Sequence, residues 1–291
     1  MLNNRRKILL LNSRSLLLIS CVGFIGFSCI PDPLEVESVP VARSELVVTT
    51  QIIPDQSLLV FLSKTFGALD ANEDSNPLQL LNSIAVNDAV VTLEGPSTLD
   101  TLVFLGSGFY GGVDIPFAAG EKYRLFVKST ALGEVYAATE VKTKVDFEHI
   151  EAELYYNEYS DTLAQIAYSF NDAPEPNWYM INVQEAELED VINNLLNPRA
   201  YTMLVPDDDF NGHSYGERFR VFPRDYQPGD TIAVSLSNIS EEYYEFMKLR
   251  LDNRFSLVEF VSEPVNYPSN VVGGKGYFNL YIPDVRFFVF E

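Results

Sequence analysis

Cysteine and histidine are scarce in this sequence. Its two cysteines, Cys21 and Cys29, both lie near the N-terminus, and none follows them. The folded part therefore has no disulfide, thiol nucleophile or cysteine-ligated metal. His149 and His213 are the only histidines, which excludes a histidine-rich zinc site. A Ser–His–Asp triad would need one of them as its base, and no Gly-x-Ser-x-Gly motif is present.

Basic residues are also few, with 20 Lys and Arg against 41 Asp and Glu and a net charge of −21. Four of the bases precede Cys29 and no acid does, so 16 bases face 41 acids in the remainder. Such an acidic surface repels phosphate backbones, and we predict no nucleic-acid binding. The 47% hydrophobic content over 291 residues excludes a disordered chain and permits one large or two ordinary domains.

The N-terminal residues 1–28 have the pattern of an export signal. Arg5, Arg6 and Lys7 form a basic start, and residues 16–27 carry no charge. This uncharged run is typical of a signal peptide and is shorter than the ~20 residues of a membrane span. We therefore predict a cleaved signal peptide, with an uncleaved anchor as the alternative.

A cysteine at the end of such a signal predicts bacterial lipoprotein processing, in which its thiol receives a diacylglycerol. We favour Cys29, because it uses the whole uncharged run and precedes a proline-rich stretch. Cys21, after Leu18-Ile19-Ser20, is the better local match to a lipobox and stays an alternative. Residues 29–43 are then predicted to be a tether, and the acyl chains to attach the protein stably to a membrane.

From residue 44 the pattern becomes that of a mainly β protein. Short runs rich in Val, Leu, Ile and Thr, separated by Gly, Pro, Asn and Asp, predict strands at 46–53, 58–63, 89–93, 99–105, 123–128 and 135–141. This density of strands predicts a β-sandwich over residues 44–145, immunoglobulin-like or, as the alternative, carboxypeptidase-regulatory-like.

Residues 146–291 are predicted to form a second, β-rich domain with two helices. Its strands are expected at 149–156, 163–170, 178–183, 218–222 and 231–236, with a strand-like tail at 277–290 broken at Pro283. Apolar periodicity predicts helices at 185–196 and 241–253. For the second helix, Ser240 is the expected N-cap, and Tyr244, Met247 and Leu251 form the expected packing stripe.

Two glycine-rich segments resemble nucleotide-binding motifs only superficially. Residues 106–111 match Gly-x-Gly-x-x-Gly, but no helical run follows, so a hairpin bend is predicted. Residues 273–276 lack the earlier glycine of a P-loop and predict a turn. No cofactor site is assigned to either.

An acidic loop offers a possible calcium site. Asp207, Asp209 and Asn211 occupy positions one, three and five of a calcium-binding loop, and Gly212 follows at position six. Arg218 stands where the final Glu is required, so a site would have to borrow a carboxylate. We favour an acidic turn and keep calcium as the alternative.

Two C-terminal segments carry a resemblance to a known family. QPGDTIAVSLSNISEEYYEFMKLR (227–250) and SEPVNYPSNVVGGKGYFNLY (262–281) resemble the Bacteroidetes-type lipoproteins catalogued as domain of unknown function 4249. The lead CIPDPLEVE (29–37), DAPEPNWYMI (172–181) and DDDFNG (207–212) are similar to parts of the same family.

The resemblance implies an envelope lipoprotein whose genes often lie near those of outer-membrane TonB-dependent transporters. It carries over no catalytic residues and assigns no face of the membrane. We expect a non-enzymatic accessory or binding module, lipid-anchored in the outer membrane, with such a transporter as partner. A carboxylate-based polysaccharide hydrolase and a structural or adhesive surface protein are the alternatives.

Overall fold

The chain is mainly β, with its strands stacked as pairs of sheets, as the sequence predicts. The computed structural model describes residues 43–53, 57–65, 82–157, 162–185, 201–222, 225–253 and 267–291. All of these belong to one compact unit. The predicted signal peptide, the lipidation site Cys29, most of the tether and residues 186–196 of the predicted helix lie outside the described residues. Glu185, the expected first residue of that helix, belongs to a strand instead.

The first sandwich contains the strands β1 (Leu46–Ile53), β2 (Ser57–Lys64), β3 (Ala89–Glu94), β4 (Leu99–Thr101), β5 (Val103–Gly106), β6 (Phe109–Gly112), β7 (Lys122–Ser129) and β8 (Gly133–Glu140). A late strand, β15 (Lys275–Tyr277), joins them. One sheet has the order β15-β1-β2-β6-β5 and the other β4-β3-β7-β8. Their inner faces share one hydrophobic core.

The second sandwich contains β9 (Phe147–Tyr156), β10 (Thr162–Asn171), β11 (Trp178–Glu185), β12 (Tyr201–Pro206), β13 (Ser214–Val221), β14 (Thr231–Ile239) and β16 (Asp284–Val289). One sheet has the order β13-β10-β9 and the other β12-β11-β14-β16. The core between them is aromatic: the rings of Phe170 and Tyr179, from opposite sheets, have centroids 4.6 Å apart.

Buried and exposed residues alternate strictly along β7, and this alternation fixes which face of the strand packs on the core. Tyr123, Leu125 and Val127 are buried, while the alternating residues Lys122, Arg124 and Phe126 are exposed. A period of two places the three buried side chains on one face of the strand, and each fully buried apolar side chain contributes about 1.5–3 kcal/mol. The register is therefore fixed, because a shift by one residue would bury the charged side chains instead.

The helix α1 (Glu241–Asn253) has the predicted bounds and the predicted cap. Ser240 Oγ accepts a hydrogen bond from the amide of Tyr243 at 3.2 Å. Of the predicted stripe, Tyr244 and Met247 are buried, but Tyr243 and Phe246 are buried as well. The helix buries this wider face because it packs against aromatic residues of 267–281 and also contacts β11 and β12.

After the helix, the chain contributes to both sandwiches. β15 pairs in parallel with β1, and Phe278 and Leu280 enter the first core. The chain then forms β16 in the second sandwich, where Asp284 Oδ2 accepts a hydrogen bond from the amide of Phe147 at 2.9 Å. The division into domains 44–145 and 146–291 stays a prediction, and residues 267–281 pack with the first core.

One predicted strand is divided between two sheets. The run 99–105 forms β4, which pairs with β3, and β5, which pairs with β6 in the opposite sheet. Leu102 separates them and is buried. The Gly-rich segment 106–111 forms the β5–β6 hairpin, which confirms the predicted bend. No helix in the described ranges is both long and apolar enough to span a membrane.

Candidate functional site

The acidic loop connects β12 to β13 as a turn. Asp207 is 4% exposed, whereas Asp209 and Asn211 are exposed. Asp207 Oδ2 accepts a hydrogen bond from the amide of Asn177 at 2.8 Å, and the Asp207 amide donates to the Asn177 carbonyl at 3.2 Å. One carboxylate of the predicted calcium set is therefore engaged with the neighbouring loop.

The loop before β11 adds further hydrogen bonds to the acidic loop. These bonds connect the segments 172–181 and 207–212, which both carry the family resemblance. Asp172 Oδ2 accepts a hydrogen bond from the amide of Gly212 at 2.7 Å, and Oδ1 accepts one from the Tyr179 hydroxyl. Asn177 Oδ1 accepts a hydrogen bond from Asn238 Nδ2 at 2.9 Å. The arrangement is a polar network that fixes two loops to each other.

The pKa of Asp207 reflects its position in this network. Burial raises the pKa of Asp207 above its usual value, with the nearby Asp172 and Asp208 adding to the rise and the Asn177 amide opposing it. Within the described ranges, no group of three or more His, Cys, Asp or Glu is placed to hold a metal ion. Calcium binding by Asp207, Asp209 and Asn211 stays the untested alternative to the acidic turn.

The two histidines lie in separate, exposed settings. His149 Nε2 is 3.3 Å from a carboxylate oxygen of Glu151, the next residue but one on β9. His213 Nδ1 is 2.8 Å from the carbonyl oxygen of Asn211, within its own turn. Each ring contacts residues of its own local segment.

A groove beside α1 is formed by residues that are distant in sequence. It encloses about 430 Å³ and is lined by Val47, Thr49, Phe246, Arg250, Tyr267, Lys275 and Gly276. We call it the basic groove, after Arg250 and Lys275. Its volume lies within the range of small-molecule sites, roughly 300–1,000 Å³.

The floor of the basic groove depends on a close approach of two strands. In the parallel pairing of β15 with β1, Lys275 lies beside Val47 and Gly276 beside Val48. Gly276 has φ +98°, and a Cβ there would lie 1.9 Å from the Val48 carbonyl oxygen. Only glycine allows this approach, which places the Lys275 side chain next to Val47.

The wall of the basic groove is positioned by aromatic packing. Phe246 of α1 has its ring centroid 5.0 Å from that of Tyr277 and 6.2 Å from that of Tyr267. The Ser240 cap begins the helix, so Phe246 and Arg250, four residues apart, lie on the same face. A half-buried Arg250 is thereby placed beside an apolar wall.

The two cations of the basic groove are not among the ion-paired cations in the described part of the chain. Five lysine and arginine side chains there lie within 4.0 Å of a carboxylate: Lys122, Arg124, Lys128, Lys144 and Arg286. Arg250 and Lys275 have no such partner among the described residues. Burial raises the pKa of Tyr243, and the positive charge of Arg250 opposes that rise. The groove therefore carries positive charge that no carboxylate of the described residues neutralises.

The sequence pattern gave no indication of the basic groove. Arg250 suits the C-terminal end of a helix dipole, and residues 273–276 indicate only a turn. Arg250 and Lys275 are 25 residues apart in the sequence, so only the packing of their segments makes them neighbours of one cavity.

Comparison with known families assigns the chain to one of them. The family model described as "Domain of unknown function (DUF4249)" matches residues 32–284. The chain belongs to this family. The match covers the acidic loop and every residue that lines the basic groove in this DUF4249 member, and it confirms the predicted family.

Other comparisons add little. No curated protein matches the chain. Among solved structures, it is similar to a two fibronectin type-III domain segment from chicken tenascin, at 11% identity and a TM-score of 0.19, with 67% of this chain and 91% of that chain covered. At that score the likeness carries no argument.

Proposed function

We propose that this DUF4249 member is a lipid-anchored, non-enzymatic binding module of the outer membrane that works with a TonB-dependent transporter. The observation that carries the binding role is the basic groove, a cavity of about 430 Å³ with two cations that no described carboxylate neutralises. The anchor is supported by the signal pattern that ends at Cys29, and the partner by the family resemblance.

The anchor is tested by replacing each candidate cysteine. Cys29→Ser is expected to abolish the acyl adduct on the N-terminal peptide and to release the protein from membranes. Cys21→Ser, the matched control, is expected to leave both unchanged. Mass spectrometry of the N-terminal peptides gives the answer, and an unchanged adduct in Cys29→Ser would contradict the assignment.

The partner is tested by affinity purification of the tagged full chain from detergent-solubilised outer membranes. A TonB-dependent transporter should co-purify reproducibly, and an unrelated tagged lipoprotein should not recover it. Failure to recover any transporter over repeated purifications would contradict the accessory role.

A second candidate, an adhesive surface protein, is favoured by one exposed face of the first sandwich. Phe126 and Tyr136 pair across β7 and β8, and they are 41% and 50% exposed, with Val90 on β3 at 56%. Exposed aromatic patches of this kind are typical of interaction surfaces. Phe126→Ser with Tyr136→Ser should reduce cell adhesion if this face is adhesive, and unchanged adhesion would remove the candidate.

A further inference from the structure

We infer that the basic groove binds a small organic anion with an apolar body, whose anionic group contacts Arg250 and Lys275. The inference deepens the binding role proposed above and rests on it. It assigns a ligand class to a cavity that the family description leaves without one.

Charge is the first reason. The chain has a net charge of −21, yet the described residues that line this cavity include two cations and no acid. A half-buried guanidinium with no counterion among the described residues is costly, and a bound anion offsets that cost. Arg presents a planar fork of donors that matches a carboxylate or phosphate, while Lys supplies a point charge. A metal cation would instead be repelled.

Apolar surface is the second reason. Phe246 and Tyr267 meet edge to face beside Arg250, and Val47 lies beside Lys275 on the neighbouring strand. A bare inorganic ion would leave this apolar surface exposed to water. An anion joined to an aromatic or aliphatic body would bury the apolar surface and neutralise the cations at once.

A second cavity, on the exposed aromatic face of the first sandwich, provides a comparison within the same chain. It encloses about 480 Å³ and includes Phe126, Lys128, Glu134 and Tyr136 in its lining. Its lysine is paired with its glutamate, so its charge is already neutralised. Aromatic lining is common to both cavities, and positive charge that no described carboxylate neutralises distinguishes the basic groove.

The test uses two photoreactive probes with the same two-ring body on the purified full chain in detergent. One is 4-benzoylbenzoate, which is anionic, and the other is 4-(hydroxymethyl)benzophenone, which is neutral. After irradiation, mass spectrometry of proteolytic peptides locates the adducts. The anionic probe should label peptides that contain Phe246 or Tyr267, with the neutral probe about tenfold weaker.

Matched variants separate charge from folding. Arg250→Gln and Lys275→Gln should each lower the anionic adduct yield about tenfold, because each removes one charge-assisted contact. Lys128→Gln, in the second cavity, should leave that yield unchanged. All three should melt at the wild-type temperature, since Lys128 and Lys275 are exposed, Arg250 is half-buried and glutamine keeps donors at each position.

Equal labelling of the groove by the neutral probe, or unchanged labelling in both groove variants, would overturn the inference. Adducts of the anionic probe that map elsewhere would do the same. These results are independent of the transporter experiment: recovery of a transporter with failed labelling overturns only the ligand class, and labelling without a transporter overturns only the partner.

Discussion

The backbone amide of Gly212 donates a hydrogen bond of 2.7 Å to Oδ2 of Asp172, a residue forty positions earlier in the chain. Through it, the turn between β12 and β13 is fixed to the loop that precedes β11. The other carboxylate oxygen of Asp172 accepts from the hydroxyl of Tyr179, whose side chain is buried. One side chain therefore satisfies two groups on separate elements.

Removing this carboxylate should destabilise the second sandwich. Asp172→Ala leaves the Tyr179 hydroxyl without its acceptor, and we expect a loss of about 1–3 kcal/mol in the free energy of unfolding. Asp209→Ala, on the exposed part of the same turn, is the control and should change it by less than about 0.5 kcal/mol. Urea unfolding measures both, and equal values would contradict the proposed role of Asp172.

Adding a methyl group at Gly276 should separate β15 from β1. Gly276→Ala combines a Cβ 1.9 Å from the Val48 carbonyl oxygen with a φ of +98°, so we expect a loss of at least about 2 kcal/mol. Gly120→Ala is the control, because it has φ +80° with no atom within 4 Å of the new Cβ. It should lose only ~1 kcal/mol. Comparable losses of unfolding free energy at the two sites would show that the close approach of Gly276 to Val48 does not contribute to stability.

Calcium should leave the thermal stability of the protein unchanged. Asp207 is buried, and its Oδ2 accepts a hydrogen bond from the Asn177 amide, so calcium would have to compete with this contact for that oxygen. Melting temperatures with and without calcium check this, and Asp209→Asn provides the control for the exposed part of the turn. A calcium-dependent rise that Asp209→Asn abolishes would restore the calcium hypothesis.

Stability should depend on pH through Asp88. Desolvation by neighbouring atoms would by itself raise the pKa of this exposed carboxyl, but hydrogen bonds from the Ser129 hydroxyl at 2.9 Å and the Ala131 amide at 3.1 Å lower the pKa below 3.8 overall. A carboxyl with a lowered pKa in the folded state stabilises the fold above pH 3.8, and this contribution is lost as the pH falls through the folded-state pKa.

The variant Asp88→Asn isolates that contribution. The difference in unfolding free energy between wild type and variant should be constant near neutral pH and shrink below pH 3.8. Glu121→Gln, at an exposed carboxylate, controls for general charge effects. A difference that stays constant over the whole range would show that the Ser129 and Ala131 contacts do not favour the ionised form.

Local patterns predicted those elements whose determinants lie within a few residues. The alternation of β7 and the cap and bounds of α1 are examples, because a strand period and an N-cap are local properties. The strands 109–112, 201–206 and 275–277 were not predicted. The first is rich in glycine and overlaps the predicted bend, the last begins inside the turn predicted at 273–276, and hydrogen bonds to distant strands define all three.

The sequence by itself determined a mainly β fold and its family, and it predicts a lipid anchor, since composition, short motifs and strand periodicity are local properties of the chain. Tertiary structure alone decided that residues 99–105 divide between two sheets and that Asp172 binds the Gly212 amide. It also decided that Arg250 and Lys275 share one groove. These relationships depend on which distant segments pack together, and packing that buries apolar surface is non-directional, so no local pattern records it.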